Sequence, residues 1–303
     1  MNLYNKHRPE TFEDIMGNKE TIDSLQTMIN KKEHPHAYLF HGEYGCGKTT
    51  LGRILANSLG CKNNDFREID SADFRGIDSI REIRKQSIYK PLESTCRVWL
   101  LDEVHKLSND AMNALLKALE DTPKHVYYIL CTTEPQKLIS TVRSRCQQFK
   151  VELLTEKQMS ILLKRIIKKE GGEVNSKVLN QIIQDSLGHP RDAIQVLEKV
   201  LSVPEEKQLK IAKKAAETQN QVIELCRALL KMENWNKISS ILKGIKNEDP
   251  EKIRLAVFGY CSSVLLNGKN NNAAIIMEEF QEPFFNNGFN GVVFACYSII
   301  CGA

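Results

Sequence analysis

The residues Gly42-Glu43-Tyr44-Gly45-Cys46-Gly47-Lys48-Thr49 follow the pattern G-x-x-x-x-G-K-[ST], in which backbone N–H groups wrap the phosphates of a nucleotide. A bound ATP or GTP is the expectation. In such a loop Lys48 reaches the β- and γ-phosphates, the Thr49 hydroxyl ligates Mg²⁺, and a glycine lets the backbone approach closely. A second group comes later in the chain, where the apolar run Val98-Trp99-Leu100-Leu101 ends in Asp102 and Glu103. Asp102 suits Mg²⁺ held through water, and Glu103 suits orienting and polarising the attacking water of a hydrolysis. Adjacent acids after a strand often only begin a turn. Their place behind a phosphate loop, in an alternating α/β pattern, is what gives these two a chemical reading.

The elements that must position these groups are legible around them. Ala37-Tyr38-Leu39-Phe40 reads as a buried strand leading into the loop, and residues 49–59 read as a helix with apolar Leu51, Ile54, Leu55 and Leu59. Residues 36–150 alternate as a parallel sheet with crossover helices does: strands at 37–40, 66–69, 98–101, 127–131 and 148–151, with helices including 77–87 and 109–120. From Thr155 the strand signals stop. Thr155-Glu156-Lys157-Gln158 resembles a capped helix start, and helices at 178–187 and 191–201 are broken at Gly171-Gly172 and Gly188-His189-Pro190. Beyond Pro204 the pattern stays helical, with candidates at 222–232, 236–245, 250–266, 272–280 and 292–300. The expected domains are an α/β nucleotide-binding domain at 1–152, a helical lid at 153–214 and a helical collar at 215–303.

Composition bounds the class. A chain of 303 residues has room for two or three domains of ordinary size. Its first twenty residues carry no apolar h-region, so no secretory leader is expected, and the late apolar stretch at 291–301 is too short to span a bilayer and is interrupted by Ser298. The nine cysteines are scattered, with no C-x-x-C pair, which favours buried reduced thiols in the cytosol over disulfides or zinc ligation. The net charge of +4 is uneven: residues 157–214 hold 12 Lys or Arg against 7 Asp or Glu. Such a surplus is either a solvated helix face or an electrostatic footprint for a phosphate backbone.

Lys6-His7-Arg8-Pro9-Glu10-Thr11-Phe12-Glu13-Asp14-Ile15-Met16-Gly17 resembles the opening box of clamp-loader ATPases of the AAA+ superfamily. Five further stretches look most like the bacterial gamma/tau branch of that family, and the chain also resembles the replication factor C small subunit. They are His36-Ala37-Tyr38-Leu39-Phe40, Asp102-Glu103-Val104-His105, Asn113-Ala114-Leu115-Leu116-Lys117-Ala118-Leu119-Glu120, Cys131-Thr132-Thr133-Glu134-Pro135-Gln136-Lys137-Leu138 and Ser144-Arg145-Cys146-Gln147-Gln148-Phe149. The match covers residues 3–200, and the remainder resembles the family's helical collar only generically. The resemblance implies an α/β AAA+ fold with a helical lid and collar, ATPase activity, and assembly with other clamp-loader subunits, homo- or hetero-oligomeric, in a pentameric ring. It also implies work on a sliding clamp and primer-template DNA in the cytoplasm of a bacterial or phage-infected cell.

Residue roles follow from the same resemblance. The loop would contact nucleotide through Gly42, Tyr44, Gly45, Cys46, Gly47, Lys48, Thr49 and Thr50, with Glu43, Tyr44 and Cys46 merely permitted by type. Thr133 matches sensor 1, beside the γ-phosphate. Arg145 matches the arginine finger, which points into a neighbouring subunit's nucleotide. Arg191, after Pro190, matches sensor 2, which reads the γ-phosphate in cis; helix capping accounts for the Pro but not for the Arg. Arg8, Pro9, Ile15, Met16, Pro190 and Ile194 would line the adenine, although core packing uses the same residue types. Arg75, Arg81, Lys85 and Lys117 would track DNA phosphates without reading bases. The bacterial family carries a four-cysteine zinc module, but Gly60-Cys61-Lys62-Asn63-Asn64-Asp65 is a short connection with one cysteine, so ATP and Mg²⁺ are expected and zinc is not. A polymerase-tethering role is not expected without tau's long extension. The rivals are another AAA+ remodeller of DNA or protein, a structural subunit without turnover, and a superfamily 2 helicase.

Overall fold

Strands covered on both faces sort their side chains by parity, and the central strands of this sheet do so. In a computed structural model, which describes residues 2–31, 34–62, 64–219, 221–284 and 287–302, the strands are β1 (Ala37–His41), β2 (Phe66–Asp70), β3 (Arg97–Asp102), β4 (Val126–Thr132) and β5 (Gln147–Lys150). Tyr38, Phe40, Val98, Leu100, Tyr127 and Ile129 enter one core, while Ala37, Leu39, Trp99, Leu101, Tyr128 and Leu130 enter the other. All pairings are parallel, in the order β2-β3-β4-β1-β5. Strand β1 lies between β4 and β5, yet the chain leaves it for β2 at the far edge. That reversal opens a crevice at the carboxyl ends of the strands, where ligands of such sheets bind.

After α1 (Leu3–Lys6) at the start of the chain, the helices around the sheet are α2 (Lys19–Lys31), α3 (Lys48–Ser58), α4 (Ile77–Ser87), α5 (Asn109–Glu120) and α6 (Ser140–Ser144). Leu51, Ile54 and Leu55 of α3 close the first core, and Ile80 and Ile83 of α4 with Met112 and Leu115 of α5 close the second. Gly52 sets the distance of α3 from the sheet: a Cβ there would stand 2.7 Å from Leu100 Cδ1. The connection from α3 to β2, of which residue 63 lies outside the described residues, ends at Asp65. This fully buried carboxylate accepts the backbone N–H groups of Leu92 (2.7 Å), Glu93 (2.8 Å) and Ser94 (2.9 Å). Burial pushes its pKa up, but these hydrogen bonds outweigh burial and hold it down at about 2.

The rest of the chain is helical: α7 (Glu156–Glu170), α8 (Ser176–Asp185), α9 (Pro190–Leu201), α10 (Glu205–Gln219), α11 (Gln221–Leu230), α12 (Trp235–Gly244), α13 (Pro250–Asn267), α14 (Asn271–Glu279) and α15 (Gly288–Cys301). The side chains of Asn175, Asn234, Asp249 and Asn270 cap α8, α12, α13 and α14 by accepting first-turn N–H groups. Leu225, Leu229, Ile238, Val257, Cys261, Ile276, Phe280, Val292 and Ile299 share one core. Among these apolar layers sits a buried polar group. Arg227 of α11 pairs with Asp185 at the end of α8 and donates to Lys213 O at 2.7 Å, and the Tyr260 hydroxyl of α13 lies 3.4 Å from Asp185. Burial raises the Asp185 carboxyl pKa, and Arg227 opposes it.

The chain divides into two compact units, Asn5–Thr155 and Glu156–Ala303, the latter with Met1–Tyr4. Beside the expected boundary at 152/153, the Asn18 side chain accepts from Glu152 N (2.7 Å) and donates to Glu152 O (3.1 Å), tying the extended residues after β5 to the α/β unit. The position 214/215, expected to separate lid from collar, falls inside α10. Among the described residues no helix is long and apolar enough to cross a membrane. All nine cysteines are free thiols, and only Cys301 is exposed.

Candidate nucleotide-binding site

Two glycines shape the loop between β1 and α3. Gly47, the N-cap of α3, has φ of 106°, a left-handed conformation that side chains resist, and a Cβ on Gly42 would fall 2.1 Å from Val151 O. The N-terminus of α3 therefore opens towards the strand ends with its first N–H groups unclaimed by the helix itself. Lys48 is buried, and its ammonium donates to Gly42 O (3.1 Å) and Glu43 O (2.8 Å), curled across its own loop. Cys46 packs its side chain into the core, so it is available to a nucleotide only through its backbone. Thr50 is buried and Tyr44 is exposed.

Across the crevice, β3 delivers the paired acids. Thr49 Oγ1 donates to Asp102 Oδ2 at 2.7 Å, and Asp102 Oδ1 accepts Glu103 N at 3.0 Å. Glu103 holds φ 48° and ψ 42°, a left-handed backbone that costs a non-glycine residue roughly 1 kcal/mol or more and that the surrounding contacts must maintain. Burial raises its carboxyl pKa, Asp102 raises it further, and Lys48 opposes both. Thr133 Oγ1, just past β4, donates to Glu103 Oε2 at 3.4 Å. A hydroxyl and a carboxylate already in contact are hard oxygen donors that fit Mg²⁺.

Sequence reasoning missed the groups behind Glu103. His105 is buried, with Nδ1 2.9 Å from Thr132 Oγ1 and 3.3 Å from Glu103 Oε2, and Nε2 3.4 Å from Glu134 Oε1. Burial pushes its pKa down, with Glu134 pulling the other way, so the ring is neutral near pH 7; its hydrogen bond goes to Thr132, and it packs beside Glu103 without an ion pair. The only signal for it was its place two residues beyond Glu103. Lys137 pairs with Glu134 at 2.8 Å.

Other expected residues lie further off. Arg145, at the C-cap of α6, donates to Glu120 Oε1 at 2.5 Å and to Thr141 O at 3.2 Å, so its guanidinium is held within its own chain. Arg8, Pro9, Ile15 and Met16 are half-buried in the α/β unit, and Ile15 packs on the core that holds Leu51 and Phe40. Pro190, Arg191 and Ile194 belong to the helical unit, on the first turns of α9. Arg81 and Lys117 meet in a groove of about 240 Å³ between α4 and α5, joined by Arg84, which sequence reasoning passed over and which pairs with Asp121 at 2.7 Å. Arg75 and Lys85 are exposed and lie outside that groove lining.

A parallel sheet whose first strand feeds a glycine loop, and whose third ends in paired acids of which the first accepts from that loop's threonine, defines a P-loop nucleotide-binding fold of the AAA+ class. Solved structures share the fold. The Thermotoga maritima RuvB Holliday junction branch migration motor matches with a TM-score of 0.60 at 20% identity, covering 78% of this chain and 85% of that one. The family model described as DNA polymerase III, delta subunit, matches residues 17–75 and 65–155. The DNA polymerase III subunit gamma/tau of Mycobacterium tuberculosis is 36% identical over 67% of this chain. The gamma subunit of Buchnera aphidicola subsp. Schizaphis graminum is 32% identical over 88% of this chain and 92% of its own length. The chain belongs to the DNA polymerase III gamma/tau family. It spans 39% of the length of its mycobacterial and Bacillus subtilis relatives.

Proposed function

We propose that this chain is an ATP-driven clamp-loader subunit that works with partner subunits to open a sliding clamp and load it at primer-template junctions during DNA replication, in the cytoplasm of a bacterial or phage-infected cell. The observation that carries the reading is the continuous set of contacts from Thr49 through Asp102 and Glu103 to Thr133, in a chain matched along 92% of a gamma subunit. ATP phosphates would draw Lys48 away from Gly42 O and Glu43 O and take the N–H groups at the start of α3. Mg²⁺, held by Thr49 and Asp102, would supply charge neutralisation at the phosphates. Glu103 polarises the attacking water, and the burial that raises its proton affinity strengthens it as an acceptor. Thr133 donates to its carboxylate, and His105 packs beside it.

Arg145 would leave Glu120 for the γ-phosphate of a neighbouring subunit in a pentameric ring, and Arg191 would read the γ-phosphate of its own. Residues 153–214 would act as the lid and 215–303 as the collar. The groove of Arg81, Arg84 and Lys117, flanked by Arg75 and Lys85, would track DNA phosphates. Ile88, Tyr89 and Leu92 form an exposed apolar patch of the kind that binds protein, and the clamp is its proposed occupant. The deciding measurement is ATP turnover with primer-template DNA and a cognate sliding clamp, added separately and together. Stimulation that needs both supports loading; turnover indifferent to the clamp moves the reading to another AAA+ remodeller.

A further inference from the structure

Residues 2–4 belong to the helical unit although the α/β sequence begins directly after them. Contacts along α9 help to hold them. The Leu3 N–H donates to Glu198 Oε1 at 3.1 Å, with the Leu3 side chain buried, and the guanidinium carbon of Arg191 lies over the Tyr4 ring, 4.9 Å from its centroid. Glu198 follows Arg191 by two turns, so both project from one face of α9, and the start of the chain lies along that face. Tyr4 and Arg191 are each half-buried, which strengthens a cation over an aromatic ring relative to an exposed pair.

We infer that Tyr4 is the positioning residue of Arg191, fixing its guanidinium so that the arginine is presented to the nucleotide's γ-phosphate in one orientation. The inference rests on the proposed role of Arg191 as γ-phosphate sensor. A ring face attracts the cation through its quadrupole, so the contact with Tyr4 restrains the guanidinium without itself taking any of the five in-plane N–H donors. A long arginine side chain otherwise gives up many rotamers when it binds. Restraint set beforehand lowers that cost only for a ligand the arginine touches, so ATP gains and ADP does not. The same segment runs on through α1 to Arg8 and Pro9, so adenine-lining candidates and the support of the sensor are neighbours in sequence.

The test compares ATP and ADP affinities by competition with a fluorescent nucleotide, using the full chain carrying Glu103→Gln to suppress turnover. Arg191→Ala is expected to lower the ATP-to-ADP preference. Tyr4→Leu should lower it about three- to tenfold with ADP affinity unchanged, and Tyr4→Phe should keep it within about twofold, because the ring and not the hydroxyl carries the contact. Tyr4→Leu combined with Arg191→Ala should be no worse than Arg191→Ala alone. A wild-type preference in Tyr4→Leu, or equal loss of ATP and ADP binding, would remove Tyr4 from this role. An intact preference in Arg191→Ala would remove the sensor assignment itself and the inference with it.

Discussion

The two units each gather an acid, a base and a hydroxyl, and they use them in opposite ways. In the α/β unit Thr49, Asp102, Glu103 and Thr133 bond to one another, with His105 beside them, at the open ends of strands, where the Glu103 side chain keeps 27% of its surface exposed. In the helical unit Asp185, Arg227 and Tyr260 bond at the meeting of three helices, where the Asp185 side chain keeps 2%. Bonds of the first kind can be exchanged for bonds to a ligand, because water or phosphate can reach them. Those of the second kind are sealed, and breaking one strands a charge in an apolar layer. Similar chemistry becomes a site in one place and a structural tie in the other, and solvent access decides which.

The comparison can be broken first at catalysis. Arg145→Ala is expected to bind ATP normally yet lower turnover by about 10³-fold or more, the scale of a missing arginine finger. Mixing it with Glu103→Gln protein should restore some activity, since complementary sites re-form at shared interfaces; mixtures that stay inactive while subunits exchange would refute action in trans. Within one site, Lys48→Ala should abolish binding of a fluorescent ATP analogue, whereas Glu103→Gln should bind it and lose turnover by roughly 10²- to 10⁴-fold. Equal binding loss in both would overturn the division of labour. Neither change should lower the thermal midpoint, because both act on exchangeable groups.

The sealed group should behave the other way. Arg227→Ala is expected to cost about 3–5 kcal/mol of stability in denaturant unfolding, while Asp185→Leu with Arg227→Met together should recover most of it, since the apolar pair leaves no buried charge unpaired. A mild effect of Arg227→Ala would mean that the group is not sealed after all. Asp65 gives a smaller, pH-dependent effect. Its folded pKa lies below the unfolded value, so its stabilisation is present above pH about 4 and is lost as pH falls through about 2. Asp65→Asn should therefore be less stable than the parent by about 2 kcal/mol at neutral pH, with the gap closing at acid pH. A gap that persists at pH 2 would assign the loss to shape and not to charge. The smallest effect belongs to the groove: Arg81→Glu or Lys117→Glu should lower the slope of log affinity for duplex DNA against log salt by about 0.9 each, for every sequence tried. An unchanged slope would move the DNA face to the basic helices after residue 156.

The central strands β1, β3 and β4 were legible because they are buried on both faces, so apolar runs bounded by polar residues give them to within one residue at either end, while the more exposed edge strands β2 and β5 showed through their place in the α/β alternation. Lys48, Thr49, Asp102, Glu103 and Thr133 were legible for a different reason, each sitting in a short motif. Helix α10 escaped because its buried face is Gln208, Ala212 and Ala215, too small and polar to show as an apolar stripe among lysines. The Glu120 partner of Arg145, the Arg227 partner of Asp185 and the Tyr4 partner of Arg191 escaped because each joins residues far apart in sequence, and only the packing of elements brings them together.

That unnoticed helix has a mechanical consequence. At about 1.5 Å per residue the 15 residues of α10 form a rod of roughly 22 Å, with no joint where the proposed lid gives way to the proposed collar. Arg227 grips it near that position through Lys213 O. A rod clamped in this way transmits torque instead of absorbing it, so a tilt of about 10° imposed at one end displaces the other by about 4 Å. The chain is stiff at the point where a boundary between lid and collar was expected.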